Sequence, residues 1–191
     1  MVLLAFAFTR PVGSVMFYLF AAAVAFAWAV GGIVSGPIPR GRLTAAGRTR
    51  FSVLTPVAVG LVAAGAVVAV VALFRKVPPL DGFLDDLLAR ARGPALPTAL
   101  VTLVNGAAEE VFFRGAVYAA AGSLRPITVS TTVYALATVA TGNPALVVAA
   151  VALGLVFGWQ RRSSGGVLAP VLTHLTWSAA LLVLLPHVPG G

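Results

Sequence analysis

Long, nearly uncharged apolar runs constrain this chain more than any other feature of its sequence. Only 9% of the 191 residues are charged, against roughly 25% in an average soluble domain. A helix that crosses a bilayer needs about 20 mostly apolar residues and pairs its own backbone groups. Six runs approach that length, near residues 11 to 34, 52 to 74, 96 to 121, 127 to 141, 143 to 160 and 166 to 187. The sequence therefore predicts an all-α polytopic transmembrane helical bundle of about six spans, forming one integral membrane domain over residues 1 to 191.

The positive charge of the chain lies at the ends of these runs. Thirteen Lys and Arg outnumber five Asp and Glu and give a net charge of +8. Basic residues at span boundaries are typical of membrane topology signals, whereas nucleic-acid binding requires one clustered basic patch. We therefore expect the lipid bilayer as a partner and no nucleic acid, in a multi-pass protein of a bacterial plasma membrane. The loops after the first and fifth runs both carry Arg and should lie on the same side.

A short amphipathic segment separates the second and third runs, at residues 79 to 92. Its apolar and charged residues alternate at helical spacing: Leu80, Phe83, Leu84, Leu87 and Leu88 against Asp81, Asp85, Asp86 and Arg90. This periodicity predicts a short helix lying in the membrane interface. An ordinary juxtamembrane loop is the alternative.

Both Glu residues of the chain are adjacent, at Glu109 and Glu110, within the third run. A charge at the bilayer centre costs between ~3 and ~10 kcal/mol, so intramembrane carboxylates usually have partners and a function. Arg114 lies one helical turn after Glu110, which favours an ion pair. Glu109 points about 100° away from Glu110 and shares its face with Asn105. The pattern therefore predicts Glu110 with Arg114 as a structural anchor and Glu109 as a base, although a purely structural role for the cluster stays open.

Further polar residues occur on the fourth and sixth runs. His174 and Ser178 are one helical turn apart, and a stripe runs along the fourth span: Thr131, Tyr134, Thr138 and Thr141. Ser and Thr in membrane helices more often serve packing than catalysis, and that alternative stays open for the stripe. We favour a site role for His174 because it accompanies a buried Glu within the membrane.

A family resemblance arises from the Glu-Glu-x-x-x-Arg-Gly pattern of residues 109 to 115. This motif resembles the CPBP intramembrane proteases, which include the type II CAAX prenyl endopeptidases and the bacteriocin-processing, Abi-like members. The resemblance covers a CPBP-like core at residues 96 to 185. The later motifs depart from the family: Tyr134 and Thr138 stand at the Phe and His of Phe-x-x-x-His, and Ser178 at the Asn of His-x-x-x-Asn.

The resemblance implies which residues form the site. In the family the first Glu activates water, while two His and an Asn bind a metal or hold the water and the oxyanion. Carried over to this chain, it implies Glu109, Glu110 and His174 as catalytic residues, supported by Arg114, Asn105, Tyr134, Thr138 and Ser178. Because hydroxyls are poor zinc ligands, we expect no stable metal site. If a divalent cation such as zinc binds, His174 and Glu109 are its candidate ligands.

The implied function is an intramembrane endopeptidase that cleaves a membrane-associated peptide, hydrophobic or prenylated, with Glu109 activating water. The alternative is a catalytically degenerate relative that serves as an accessory or scaffold subunit for a membrane protein partner. A transporter is a weaker alternative, because the sequence shows no paired repeat of broken helices.

Overall fold

The computed structural model describes residues 1–41, 53–74, 77, 81–91 and 95–188, and every regular element within these ranges is helical. The predicted all-α fold is confirmed. In chain order the helices are α1 (Val2–Phe8), α2 (Val15–Val34), α3 (Leu54–Phe74), α4 (Asp81–Ala91), α5 (Ala95–Glu110), a π-helical segment (Val111–Val117), α6 (Tyr118–Ala120), α7 (Pro126–Val139), α8 (Pro144–Ser164), α9 (Leu168–Leu184) and a 3-10 turn (Leu185–His187).

Within the described ranges, four helices are long and apolar enough to cross a membrane: α2, α3, α8 and α9 with its 3-10 extension. Helix α7 is apolar but shorter. The third predicted run, residues 96 to 121, is helical throughout but is not one α-helix, because it changes to π geometry at Val111. Helix α1 precedes the first predicted run and was not predicted. The integral membrane character is supported, and the number of six spans stays a prediction.

Helices α7 and α8 form an antiparallel pair joined by a tight turn between Val139 and Pro144. Gly142 adopts a left-handed φ of 71°, and the Asn143 side chain accepts a hydrogen bond from the backbone N–H of Ala145 at 3.0 Å. A Cβ atom at Gly154 of α8 would lie 2.7 Å from the Thr131 methyl group of α7. The close approach of the two helices therefore depends on glycine, as is common at helix contacts in membranes.

Helix α9 is fixed in the bundle by a buried hydrogen-bond chain through Thr173. The Thr173 hydroxyl donates to the Pro56 carbonyl of α3 at 3.0 Å and accepts from the Gln160 amide of α8 at 2.8 Å. Thr173 is fully buried, so both partners are needed to satisfy its hydroxyl. The next residue is His174, whose height in the bundle is set by this contact.

The segment after α2 lies against the connection between α8 and α9. The backbone N–H of Val167 donates to the Pro39 carbonyl at 2.8 Å, and that of Leu168 donates to the Arg40 carbonyl at 3.2 Å. The described part of the loop after α2, residues 35–41, therefore lies on the same side of the bundle as the loop between α8 and α9, as predicted.

The predicted amphipathic segment forms α4. Leu84 and Leu88 are buried against Val71 of α3 and Leu181 of α9, whereas Asp85 is exposed. The apolar stripe thus packs on the bundle itself, and the location of α4 in a lipid interface stays a prediction. Phe83, which the predicted apolar stripe also includes, is exposed. The other side chains of the predicted pattern lie outside the described part of the chain: Leu80, Asp81, Asp86, Leu87 and Arg90.

The π-helical segment begins directly after Glu110. The backbone N–H of Tyr118 would bond to the Arg114 carbonyl in an α-helix. It bonds instead to the carbonyls of Phe113 and Gly115. Single π turns of this kind occur frequently at functional sites.

Helix α8 provides a hydrogen-bond donor to the Arg114 carbonyl, which lacks the backbone N–H of Tyr118 as a partner. Nε of Arg161 donates to the Arg114 carbonyl at 2.8 Å, and its guanidinium lies 4.9 Å from the centroid of the Tyr118 ring. Arg161 therefore binds both the π-helical segment and the α6 turn that follows it.

We expect Arg161→Gln to lower the free energy of unfolding by about 1.5 to 3 kcal/mol, because the Arg114 carbonyl loses a charged donor. Arg162→Gln is the matched control, since Arg162 is adjacent and exposed. Thermal unfolding of the purified protein in detergent measures both variants. Equal unfolding temperatures for the two variants would contradict the role of Arg161.

Candidate active site

A cavity of about 280 Å³ lies between α1, α2, α5, α7, α8 and α9. Its wall contains all the predicted site residues except Glu110 and Arg114, namely Asn105, Glu109, Tyr134, Thr138, His174 and Ser178. Much of the remaining wall is apolar, including Leu4 and Phe8 of α1 and Phe17 and Val24 of α2. Glu110 and Arg114 are fully buried. The structure therefore brings residues from three predicted spans to one cavity with a mostly apolar wall.

Glu109 presents its carboxylate to this cavity. Its Oε2 accepts a hydrogen bond from the Tyr134 hydroxyl of α7 at 2.9 Å. The Tyr134 ring packs against Phe113, with ring centroids 4.9 Å apart, so the hydroxyl is held in place by ring packing. Tyr134 thereby fixes the orientation of the Glu109 carboxylate.

Glu110 lies behind the cavity wall and is bound by two donors. Its Oε1 is 3.1 Å from Nη1 of Arg114 and 2.9 Å from Nδ1 of His174. The predicted Glu110–Arg114 ion pair is confirmed, and both side chains are fully buried. The same oxygen binds both partners. Since His174 lines the cavity and Glu110 does not, Glu110 acts on the cavity by holding the His174 imidazole.

Arg114 is a buried cation between two aromatic rings. Its guanidinium carbon lies 4.8 Å from the Tyr134 ring centroid and 5.1 Å from that of Phe157. Nη2 also donates to the Gly154 carbonyl at 3.3 Å. Ring faces, a carbonyl and a carboxylate replace part of the water that the cation has lost, while its Nε has no hydrogen-bond partner among the described residues.

His174 contacts Glu110 and not the adjacent Glu109. The imidazole stacks on Phe157 at 5.1 Å between centroids, and a Cβ atom at Gly106 would lie 3.2 Å from its Nε2. The carboxylate partner of Nδ1 favours the tautomer with the proton on Nδ1. Nε2 then has a lone pair beside Gly106, which also lines the cavity, and can accept a proton or a hydrogen bond there.

The other supporting residues make different contacts. The Thr138 hydroxyl donates to the Tyr134 carbonyl of its own helix at 2.9 Å. The Asn105 amide donates to the Ala21 carbonyl at 3.0 Å, which ties α5 to α2. Ser178 is buried in the cavity wall one turn after His174.

The donor set does not suit a zinc ion. Within the described ranges there is no group of three or more His, Cys, Asp or Glu arranged to hold a metal. The Glu110 oxygen already binds Arg114 and His174, and positions 138 and 178 offer neutral hydroxyls. Catalytic zinc normally has three N, S or carboxylate ligands, so we derive no step that involves a metal.

Two parts of this site were missed by the sequence analysis. Phe157 stacks on both Arg114 and His174, but its sequence context is an ordinary apolar run. Gly154 and Gly158 of α8 form a small-x-x-x-small pattern, which is a known signal for close helix contact and could have indicated the α7 contact.

The candidate site lies within a segment that resembles known proteases. A family model described as type II CAAX prenyl endopeptidase Rce1-like matches residues 91–180. No curated protein and no solved structure matches the chain. The family match confirms the resemblance to CPBP intramembrane proteases, and it includes the Glu pair, Arg114 and His174. This membrane protein is therefore similar to the type II CAAX prenyl endopeptidase Rce1-like family over residues 91–180, the segment that carries the candidate site.

Proposed function

We propose that this chain is an intramembrane endopeptidase that cleaves a hydrophobic or lipidated peptide, with Glu109 as the base that activates water. The observation that carries the proposal is the separation of two adjacent carboxylates. Glu109 faces the cavity and is oriented by a tyrosine hydroxyl, whereas Glu110 is held by Arg114 and His174. The family match supports the reaction class.

In the proposed reaction, the Glu109 carboxylate removes a proton from a water molecule in the cavity. The water oxygen attacks the carbonyl carbon of the scissile peptide bond, and a tetrahedral intermediate forms. Glu109 then returns the proton to the leaving amine as the C–N bond breaks. The apolar wall limits access of bulk water, which strengthens the electrostatic interactions inside the site.

Three further side chains would assist this reaction. The lone pair on Nε2 of His174 can accept a hydrogen bond from the second proton of the attacking water. Glu110 holds the imidazole in that orientation. The Ser178 hydroxyl, one turn away, is a candidate donor to the developing oxyanion. Tyr134 keeps the Glu109 carboxylate aimed at the water.

The alternative is an accessory subunit that binds a membrane protein partner without catalysis. It is favoured by position 138, where the family has His and this chain has a hydroxyl that donates to its own helix. This alternative predicts no hydrolysis by the purified protein. A location in a bacterial plasma membrane stays a prediction for either function.

We expect Glu109→Gln to reduce peptide hydrolysis by a factor of about 10² to 10⁴, the usual contribution of a general base. Cleavage of a peptide library that includes prenylated members, in detergent, measures this change. Thermal unfolding of the same sample verifies that the variant is folded. Wild-type turnover by Glu109→Gln would refute the assigned base, and no turnover by the wild-type chain on any member would favour the accessory subunit.

The adjacent substitution Glu110→Gln should act on stability. It leaves the buried Arg114 without its counter-ion, which costs about 3 to 5 kcal/mol for buried pairs. Glu109→Gln is the matched control, because Glu109 has no cationic hydrogen-bond partner among the described residues. We expect a much lower unfolding temperature for Glu110→Gln than for Glu109→Gln. The reverse order would contradict the division of roles.

Tyr134→Phe should lower kcat about tenfold, the equivalent of one hydrogen bond of about 1.4 kcal/mol in the transition state. The ring over Arg114 is kept, so the unfolding temperature should change little. Tyr118→Phe is the matched control, because Tyr118 is not part of the cavity wall. An equal effect of both substitutions on kcat would exclude a specific role for the Tyr134 hydroxyl.

A further inference from the structure

We propose that one end of the bundle carries a binding site for the phosphate head group of an anionic lipid, built on Arg40 and Arg162. A pocket of about 700 Å³ lies there between the segment after α2 and the end of α8. Its wall contains both arginines together with Ile38 and Ser163, and no acidic residue. This site lies apart from the cavity of the proposed protease and does not depend on its activity.

Backbone contacts hold the segment that carries Arg40 against the connection that follows Arg162. The hydrogen bonds from Val167 to Pro39 and from Leu168 to Arg40 fix the segment after α2 against the start of α9. Gly166 lies so close to Gly41 that any Cβ at position 166 would collide with the Gly41 backbone. The pocket is therefore formed by two segments that are distant in sequence and joined at a position that requires glycine.

No described acidic side chain neutralises the charge of Arg40 and Arg162. Arg40 and Arg162 are exposed, and neither forms an ion pair with another described residue. Asp85 lies at the opposite end of α8, because the Phe83 carbonyl of α4 accepts a hydrogen bond from Asn143, which begins α8. Among the described residues, neither guanidinium group is paired with a carboxylate, and we infer that an external anion binds there.

The charge rule of membrane topology explains why this end of the bundle is positive, but it does not explain why the two arginines line one pocket. Cytoplasmic ends of membrane proteins carry Lys and Arg as a rule, and such residues usually extend separately into water. Here two guanidinium groups border one concave surface. A guanidinium group can donate two parallel hydrogen bonds to the oxygens of one phosphate, which makes phosphate the preferred anion.

The surroundings favour a lipid as the source of the phosphate. Ile33 and Val34, in the last turn of α2, are exposed apolar side chains just before the pocket. Ile38 continues this apolar surface into the pocket wall. A phospholipid would place its head group between the arginines and its acyl chains along the end of α2.

Native mass spectrometry of the full chain with phosphatidylglycerol or phosphatidylcholine tests this site. We expect the wild-type chain to retain phosphatidylglycerol preferentially. The double variant Arg40→Gln/Arg162→Gln should lose affinity by roughly fivefold per arginine. The matched control is Arg10→Gln/Arg125→Gln, which removes the same charge from residues outside the pocket and should retain the wild-type preference.

Two results would overturn the proposal. Equal loss of phosphatidylglycerol binding in both double variants would show that the lipid responds to net charge and not to the pocket. Competition with inorganic phosphate separates the two sources of the anion: if phosphate alone binds as tightly and displaces the lipid completely, the site belongs to a soluble phosphate. Thermal unfolding verifies that both double variants are folded, and a variant that unfolds is replaced by the single substitution Arg162→Gln with Arg125→Gln as its control.

Discussion

A single carboxylate oxygen of Glu110 joins α5 to the π-helical segment and to α9 in the centre of an apolar bundle. It binds Arg114 and His174 at hydrogen-bond distance, with all three side chains removed from solvent. A charge in this environment is tolerated only when its partners remain. The rotation of α9 about its own axis is therefore coupled to the carboxylate, and Thr173 fixes the same helix along its axis.

The position of the candidate base follows from this anchor. Adjacent residues on a helix point about 100° apart, so an inward Glu110 directs Glu109 toward the cavity and Tyr134. The π turn places Arg114 between two aromatic rings, and Arg161 supplies the donor for its carbonyl. The Glu110–Arg114 ion pair, the π turn and Arg161 thus determine how this part of the cavity wall is oriented.

The sequence predicted those features that depend on one helix at a time. Apolar runs indicated the helices, and the spacing of Glu110 and Arg114 indicated their ion pair, because both follow from helical periodicity. The contact of His174 with Glu110, not Glu109, depends on how α9 is rotated against α5, which no single-helix pattern contains. The π turn was missed for a similar reason: the donor for its carbonyl is Arg161, which lies 47 residues away.

Two of the three departures from the family motifs lie on one face of α7, where Tyr134 and Thr138 are one turn apart. Thr138 cannot replace an imidazole, and its hydroxyl already donates to the Tyr134 carbonyl. Tyr134 offers a hydroxyl where the family has Phe, and that hydroxyl binds Glu109 directly. In this chain the polar group of α7 that binds the candidate base is therefore at position 134, one turn before the position of the motif's His. A phenol at this position can orient a carboxylate by donating a hydrogen bond, but it cannot accept a proton from water as a neutral imidazole does. In this chain His174 is the only imidazole at the cavity among the described residues, so the second proton-accepting group of any hydrolytic site here must come from α9.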